Sequence, residues 1–276
     1  MYEQILYDVQ DPVAVITLNR PDSLNALTGR MQREFKHALA AAEDNSAVVG
    51  IVLTGAGRGF CAGADIGGLQ STAEGKGGRV EDFSDLKAAP GDPEMGENFK
   101  VSYTYMLAVR KPIIAAINGP CAGLGFCYAL LCDMRFAEKQ AKFTTAFGQR
   151  GLIAEHASSW LLPRLIGSGK ALDLLWSARS FQGEEAKELG LVERVVDTGE
   201  SLNAAIQYIK QLAESVSPTS LQIMKAQVYR HLNMELGEAM IESNQWMDES
   251  LKSEDFKEGV SSFIERRKPN FKRLND

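Results

Sequence analysis

Apolar positions in the first part of the chain recur at two different spacings. Residues 4–9 and 13–18 are strand-like runs on either side of Asp11-Pro12, which predicts an antiparallel hairpin. Residues 24–42 predict a helix, because apolar side chains recur there at a helical interval. The side chains of that face are Leu27, Met31, Phe35 and Leu39. Strand patterns dominate the first half of the chain and helical patterns its last third.

Two longer apolar runs, 48–53 and 112–117, do not alternate and predict strands that are covered on both faces. Residues 70–97 are rich in glycine and acidic side chains and predict a long surface excursion. Helices are predicted at 97–110, 158–165, 170–176, 183–189, 202–212 and, as several segments, from 218 to 266. We therefore expect a core over residues 1–200, followed by a helical region over residues 201–276.

Each of the two buried strands leads into a turn of small residues. The first turn runs from Phe60 to Ile66, and the second runs from Asn118 to Gly125 and opens an apolar helix. Two such turns can each direct one backbone N–H toward the same oxygen atom. Acyl-transfer and enolate chemistry need such a pair, because negative charge develops on a carbonyl oxygen.

Composition and charge exclude several classes of function. The 276 residues are 45% hydrophobic and 24% charged, and the net charge of −6 disfavours nucleic-acid and anionic-membrane partners. The N-terminal residues lack the features of a signal peptide, and no apolar run is long enough to span a bilayer. The four cysteines and three histidines match no zinc spacing, which predicts reduced thiols and no metal site. We expect a cytoplasmic protein.

Five segments carry the most specific signal, and they extend in order over residues 5–270. They are Leu18-Asn19-Arg20-Pro21 with Asn25-Ala26-Leu27, then 60–66, 111–119, Leu131-Cys132-Asp133 and 160–167. In this combination they resemble the crotonase superfamily, the enoyl-CoA hydratase/isomerase family. The resemblance implies an α/β fold with a crotonase-like ββα spiral core and an α-helical C-terminal region. It also implies a homotrimer or a hexamer of two trimers, and a coenzyme A thioester as substrate without a further cofactor.

The resemblance also implies positions for the site. The oxyanion hole carries over to the backbone N–H groups of Ala64 and Leu124. The substrate is expected to contact Ser23, Leu24, Ala62, Ala64, Asp65, Ile66, Gly67, Leu124 and Phe147. Lysines that many relatives place near Asp22 and Gly67 are absent, so the phosphates are expected to meet Arg58, or Arg267 and Lys268 of a neighbouring subunit.

The carboxylates bear on the type of reaction. Hydratases of the family use two glutamates, and the resemblance puts Cys127 and Phe147 at those positions. Glu155 matches the position where dienoyl-CoA isomerases hold an acidic residue, which predicts a proton shuttle and favours double-bond isomerisation. Three alternatives stay open: hydration or thioester hydrolysis with Glu155 activating water, a Glu155 that only complements a helix dipole, and a non-catalytic acyl-CoA-binding paralogue.

Overall fold

A six-stranded sheet and a three-stranded sheet organise the computed structural model, which describes residues 2–76 and 83–275. The strands are β1 (Ile5–Gln10), β2 (Val13–Leu18), β3 (Gly50–Gly55), β4 (Ile113–Ile117), β5 (Cys121–Ala122), β6 (Met134–Glu138), β7 (Lys142–Thr144), β8 (Phe181–Gln182) and β9 (Arg194–Val196). The large sheet has the order β1-β2-β3-β4-β6-β9, and the small sheet has the order β5-β7-β8. All neighbours in the large sheet are parallel except β1 and β2.

Helices cover the sheets and form the C-terminal part of the chain. Within the described residues they are α1 (Gly29–Asp44), α2 (Ile66–Ala73), α3 (Tyr105–Ala108), α4 (Leu124–Leu131), α5 (Ser158–Ile166), α6 (Ser168–Ser177), α7 (Gly183–Leu189), α8 (Ser201–Ser215), α9 (Pro218–His231), α10 (Leu236–Ser250) and α11 (Glu254–Glu265). The mixed α/β composition with a largely parallel sheet confirms the fold class expected from the sequence.

The large sheet is buried on both faces, as its continuous apolar strands predict. Alternate residues of β2 point to opposite layers, so that Ile16 packs in the main core and Val15 packs with the opposite layer. Helix α1 covers the first face, and Ile209 of α8 lies against the second. Every residue of β3 and β4 is buried. This double cover fixes the ends of β3 and β4, from which both small-residue turns depart.

Two predicted helices differ from the structure. The helix predicted to begin at residue 24 begins at Gly29, because Leu24 and Asn25 adopt left-handed backbone angles and Thr28 caps the helix through the N–H of Met31. The helix predicted at 97–110 is reduced to a 3-10 turn at Glu97–Phe99 and the single turn of α3. The helical pattern is interrupted at exposed residues, where Ser102 adopts a left-handed φ of 43°. Of the predicted 70–97 excursion, residues 77–82 lie outside the described residues.

A partly buried ion pair anchors α9 to the core. Asp133, directly before β6, accepts hydrogen bonds from the Nζ of Lys225 at 2.8 Å, from the hydroxyl of Tyr229 at 3.0 Å and from the N–H of Ile113 at 2.6 Å. Burial, followed by the charge of Asp133, raises the pKa of Tyr229 well above its usual value. Helix α9 is therefore tied to β4 and β6, whereas α8 packs on the sheet itself; the division at residue 200 stays a prediction.

The surface of the last three helices is unusually apolar. Large apolar side chains are exposed on each of them, including Val228, Leu236, Ile241, Met247, Phe263 and Ile264. None of the helices in the described part of the chain is long and apolar enough to cross a bilayer. The same residues contain no cluster of three potential metal ligands, and all four cysteines are buried free thiols.

Candidate active site

The two small-residue turns lie side by side. Cys61 and Cys121 form an isolated parallel bridge, in which the N–H of Cys61 donates to the carbonyl of Pro120 and the N–H of Ala122 donates to that of Cys61, both at 2.9 Å. Ala64 and Leu124 each follow the paired cysteine by three residues. The two turns therefore begin at paired residues, and the same number of residues separates each cysteine from its amide.

Local backbone pairing leaves the N–H of Ala64 free. Leu27 donates to the carbonyl of Gly63 at 2.8 Å and accepts from the N–H of Asp65 at 3.1 Å. In such a parallel bridge, the central residue directs its own N–H to the opposite edge. Within residues 2–76 and 83–275, the N–H of Ala64 donates no hydrogen bond.

The second amide is free for a different reason. Leu124 is the first residue of α4, and the first N–H groups of a helix have no partner within the helix. Among the described residues, none accepts a hydrogen bond from the N–H of Leu124. The positive end of the α4 dipole adds to the partial positive charge of this N–H group, so that an anionic oxygen is favoured there.

Glycines allow the two turns to approach this closely. Gly63 has a φ of 110°, and an added Cβ would lie 3.1 Å from the carbonyl oxygen of Ala122 and 3.5 Å from the nitrogen of Leu124. At Gly125 an added Cβ would lie only 2.4 Å from the carbonyl oxygen of Cys61. Both positions therefore exclude larger residues. At Gly63 a side chain would strain the backbone, and at Gly125 it would overlap the carbonyl of Cys61.

Hydrogen bonds and an ion pair hold the first turn in place. Asn25 is fully buried with a φ of 59°; its Oδ1 accepts from the N–H of Arg20, and its Nδ2 donates to the carbonyls of Ala56 and Gly59. Arg20 in turn forms an ion pair of 2.9 Å with Asp65, whose other oxygen caps α2. Sequence reasoning assigned no role to Arg20 or Asn25. Both lie in the first of the five segments that resemble the family, and this resemblance is the one sequence feature that points to them.

Glu155 lies between the 3-10 turn at Gly148–Arg150 and α5. Its side chain is 31% exposed, and its Oε2 is 3.7 Å from the Nε2 of His156. His156 and Ala157 have left-handed φ angles of 49° and 65°, and α5 begins only at Ser158. Burial lowers the pKa of His156, and the charge of Glu155 partly opposes this effect. His156 is an immediate neighbour of the carboxylate, because the chain is not yet helical there.

Helix α4 connects Glu155 to the second amide. Cys127 follows Leu124 by about one turn, a rise of about 4.5 Å, and its Sγ is 3.6 Å from the carbonyl oxygen of Glu155. Tyr103 also lies near Glu155. Its ring is edge-on to that of His156, and its hydroxyl donates a hydrogen bond to Gln32 at 2.7 Å. Burial, then the charges of Cys127 and Glu155, raises the pKa of Tyr103. Sequence reasoning missed Tyr103, which lay in the stretch predicted as a helix.

The other predicted contact residues fall into two groups. Ser23 and Leu24 adjoin the turn at 62–67, because the N–H of Ala62 donates to the carbonyl of Leu24 at 2.9 Å. Ile66, 70% exposed, and Gly67 open α2 at the surface of the same region. Phe147 is buried and lines an apolar cavity of about 650 Å³ against α5 and α6. Ala64, Leu124 and Glu155 do not line this cavity.

Comparisons with known proteins agree on one family. The sequence model of the enoyl-CoA hydratase/isomerase family matches residues 8–274. A probable enoyl-CoA hydratase of Rhizobium meliloti is 34% identical over 98% of both chains. The 1,2-epoxyphenylacetyl-CoA isomerase of Escherichia coli is 32% identical over 98% of this chain and 99% of its own. The crystal structure of an enoyl-CoA hydratase from Bacillus anthracis superposes with a TM-score of 0.83 at 28% identity, over 99% of this chain and 100% of that chain.

Replacement of Gly125 by alanine tests how closely the two turns are packed. The added Cβ would overlap the backbone of Cys61, so we expect the free energy of unfolding in urea to fall by about 3 kcal/mol. Gly68→Ala is the matched control, because Gly68 is also helical but has no heavy atom within 4 Å of an added Cβ. It should leave stability unchanged or raise it by up to about 1 kcal/mol. Equal stabilities of the two variants would contradict the close packing.

Proposed function

The chain belongs to the enoyl-CoA hydratase/isomerase family and is an enzyme of that type, and we propose that it isomerises the double bond of an enoyl-CoA. In this proposal the thioester oxygen receives the N–H groups of Ala64 and Leu124, and Glu155 carries the proton. The single observation that supports it most is the pair of free amides at matching positions of two parallel turns.

The proton transfer is balanced within the site. The carboxylate of Glu155 removes a proton from the α-carbon of a 3-enoyl thioester, and the electron pair moves through the carbonyl to give a dienolate. The two amides stabilise the resulting oxygen anion. The protonated Glu155 then returns its proton to the γ-carbon, the double bond moves to the 2,3-position, and the thioester carbonyl is restored. No water, cofactor or metal enters this reaction.

The residues at the usual glutamate positions support isomerisation over ordinary hydration. Cys127 and Phe147 are both buried, and neither supplies a carboxylate. Burial, followed by the charge of Glu155, raises the pKa of Cys127 to about 12, so the thiol is neither a base nor a thiolate nucleophile near neutral pH. This leaves Glu155 as the proposed proton carrier.

We further propose how coenzyme A is bound. The surface formed by Ser23, Leu24, Ala62, Asp65, Ile66 and Gly67 would contact the pantetheine and nucleotide, while Phe147 would form part of the wall beside the acyl group. Arg58 is the stronger candidate for the phosphates, since it is exposed beside the first turn. Arg267 pairs with Glu258 and Glu265, and Lys268 pairs with Glu214. The free buried thiols are compatible with a cytoplasmic location.

Water activation by Glu155 is the second candidate function. The Rhizobium relative carries a hydratase name, and the Glu155 side chain is 31% exposed, which would admit a water molecule. Turnover in water labelled with heavy oxygen separates the two reactions. Hydration or hydrolysis incorporates the label into product, whereas isomerisation does not.

Glu155→Gln tests the proposed proton carrier. With 3-hexenoyl-CoA as the probe, we expect the rate at which the conjugated 2-enoyl thioester appears to fall by about 10²- to 10⁴-fold, because the amide cannot accept the proton. The ultraviolet absorbance of the conjugated thioester measures this rate. Glu188→Gln, an exposed charge change on α7, should retain the native rate. Undiminished turnover in Glu155→Gln would remove Glu155 from the mechanism, and a native protein without any turnover would favour a non-catalytic role.

We also propose that the exposed apolar face of α9–α11 assembles the chain into a homotrimer or a hexamer of two trimers. Light scattering should then give the native protein a mass three or six times that of the chain. Phe263→Asp should reduce this mass, because Phe263 is 85% exposed and would bury a charge at the contact. Leu6→Asp, at a 53% exposed apolar position on β1, should leave it unchanged. A native monomer would contradict the assembly.

A further inference from the structure

The buried thiol of Cys127 joins two parts of the site that come from distant parts of the sequence. Helix α4 begins at Leu124 and carries Cys127 about one turn later. The Sγ of Cys127 lies 3.6 Å from the carbonyl oxygen of Glu155, with the thiol as donor. One rigid helix therefore carries both a proposed oxyanion donor and a contact to the backbone of the proposed proton carrier.

We propose that Cys127 is a positioning residue that fixes the distance between Glu155 and the amide of Leu124. The inference rests on the proposed function, since it assumes that Glu155 transfers the proton. It assigns to Cys127 no proton or electron transfer of its own. Its role is to hold the backbone from which the Glu155 side chain departs.

The backbone at Glu155 needs such a contact. His156 and Ala157 follow it in left-handed conformations, which are unfavourable for residues other than glycine. The carbonyl of Glu155 accepts the N–H of Ser158 at 2.9 Å, which closes this turn within the segment itself. The thiol of Cys127 is a second donor to the same oxygen, and it comes from α4. Without it, the turn would lose its hydrogen bond to the helix that bears Leu124.

The thiol stays in its donating form over the working range of the enzyme. Cys127 is fully buried, and this burial, with the nearby charge of Glu155, raises its pKa to about 12. A thiol is a weak donor, so its removal should change the stability of the protein little. A small displacement of a catalytic group nevertheless lowers the rate strongly, because proton transfer requires close alignment.

Cys132 provides a matched control immediately after the same helix. It is also buried, and its Sγ contacts the carbonyl oxygen of Tyr128 at 3.3 Å. This contact stays within one segment of the chain and does not reach Glu155. Cys132→Ala therefore removes a comparable thiol and opens a comparable void, but it leaves the contact at Glu155 intact.

The experiment compares Cys127→Ala, Cys127→Ser and Cys132→Ala with the native protein, with 3-hexenoyl-CoA as the probe. We expect Cys127→Ala to lower kcat about tenfold while KM stays within about twofold, because thioester binding by the amides is retained. Cys127→Ser keeps a donor at a shorter reach, so its kcat should lie between those of native and Cys127→Ala. Cys132→Ala should keep the native kcat, and both alanine variants should lower Tm to a similar extent.

Two results would overturn the inference while leaving the proposed function intact. One is a Cys127→Ala variant with the kcat of Cys132→Ala, in a protein that Glu155→Gln inactivates. The other is a Cys127→Ser variant as slow as Cys127→Ala, which would mean that packing and not the donor matters. If Cys127→Ala fails to fold, Cys127→Val replaces it as the variant without a donor: a kcat below that of Cys127→Ser at a similar KM supports the inference, and equal kcat values in the two variants overturn it. Failure of the proposed function itself would appear differently, as a native protein that does not depend on Glu155.

Discussion

The parallel pairing of the two turns that leave β3 and β4 is the constraint on which the proposed site depends. Cys61 and Cys121 pair across the turns, so equal numbers of residues lead from each cysteine to Ala64 and Leu124. One amide is free because it faces away from its bridge partner, and the other because it begins a helix. The strands β3 and β4 are fully buried, and they fix the points at which the two turns begin. The proposed pair of oxyanion donors thus depends on backbone geometry alone, with no functional side chain at either position.

This arrangement also explains what the side chains need to supply. Backbone amides and the α4 dipole can stabilise an enolate oxygen without any formal positive charge. The remaining requirement is a group that moves a proton along the acyl chain. Glu155 is the carboxylate tied to α4, through Cys127, and the neighbouring His156 and Tyr103 form its surroundings. The proposed reaction therefore depends mainly on how the segment at 151–157 holds the side chain of Glu155.

Much of the fold was predictable because its signals are local. The hairpin of β1 and β2 follows from alternation around a turn, and the continuous apolar runs identify β3 and β4 as doubly covered. The glycine-rich turns predict two donors to one oxygen, and the convergence of these donors stays a prediction. Residue-by-residue resemblance then supplied Ala64, Leu124 and Glu155 as candidates.

The remaining features depend on contacts between distant parts of the chain. Asn25 interrupts a helical pattern because its buried side chain bonds to backbone more than thirty residues away. Tyr103 lies where the predicted helix is interrupted, directly after the left-handed residue Ser102. His156 faces Glu155 because two left-handed residues delay the start of α5. No local pattern of apolar and polar positions contains this information.

The most direct test of the account is the carbonyl stretching frequency of a bound acyl-CoA whose thioester carbon carries an isotope label. The native protein should lower this frequency relative to the free thioester, because two hydrogen bonds polarise the carbonyl. A protein with a backbone ester in place of the Ala64 amide, which lacks only that N–H, should bind the same ligand with a smaller decrease. An unchanged frequency in the fully bound native protein, or equal decreases in the two proteins, would contradict the convergence of the two amides on one oxygen.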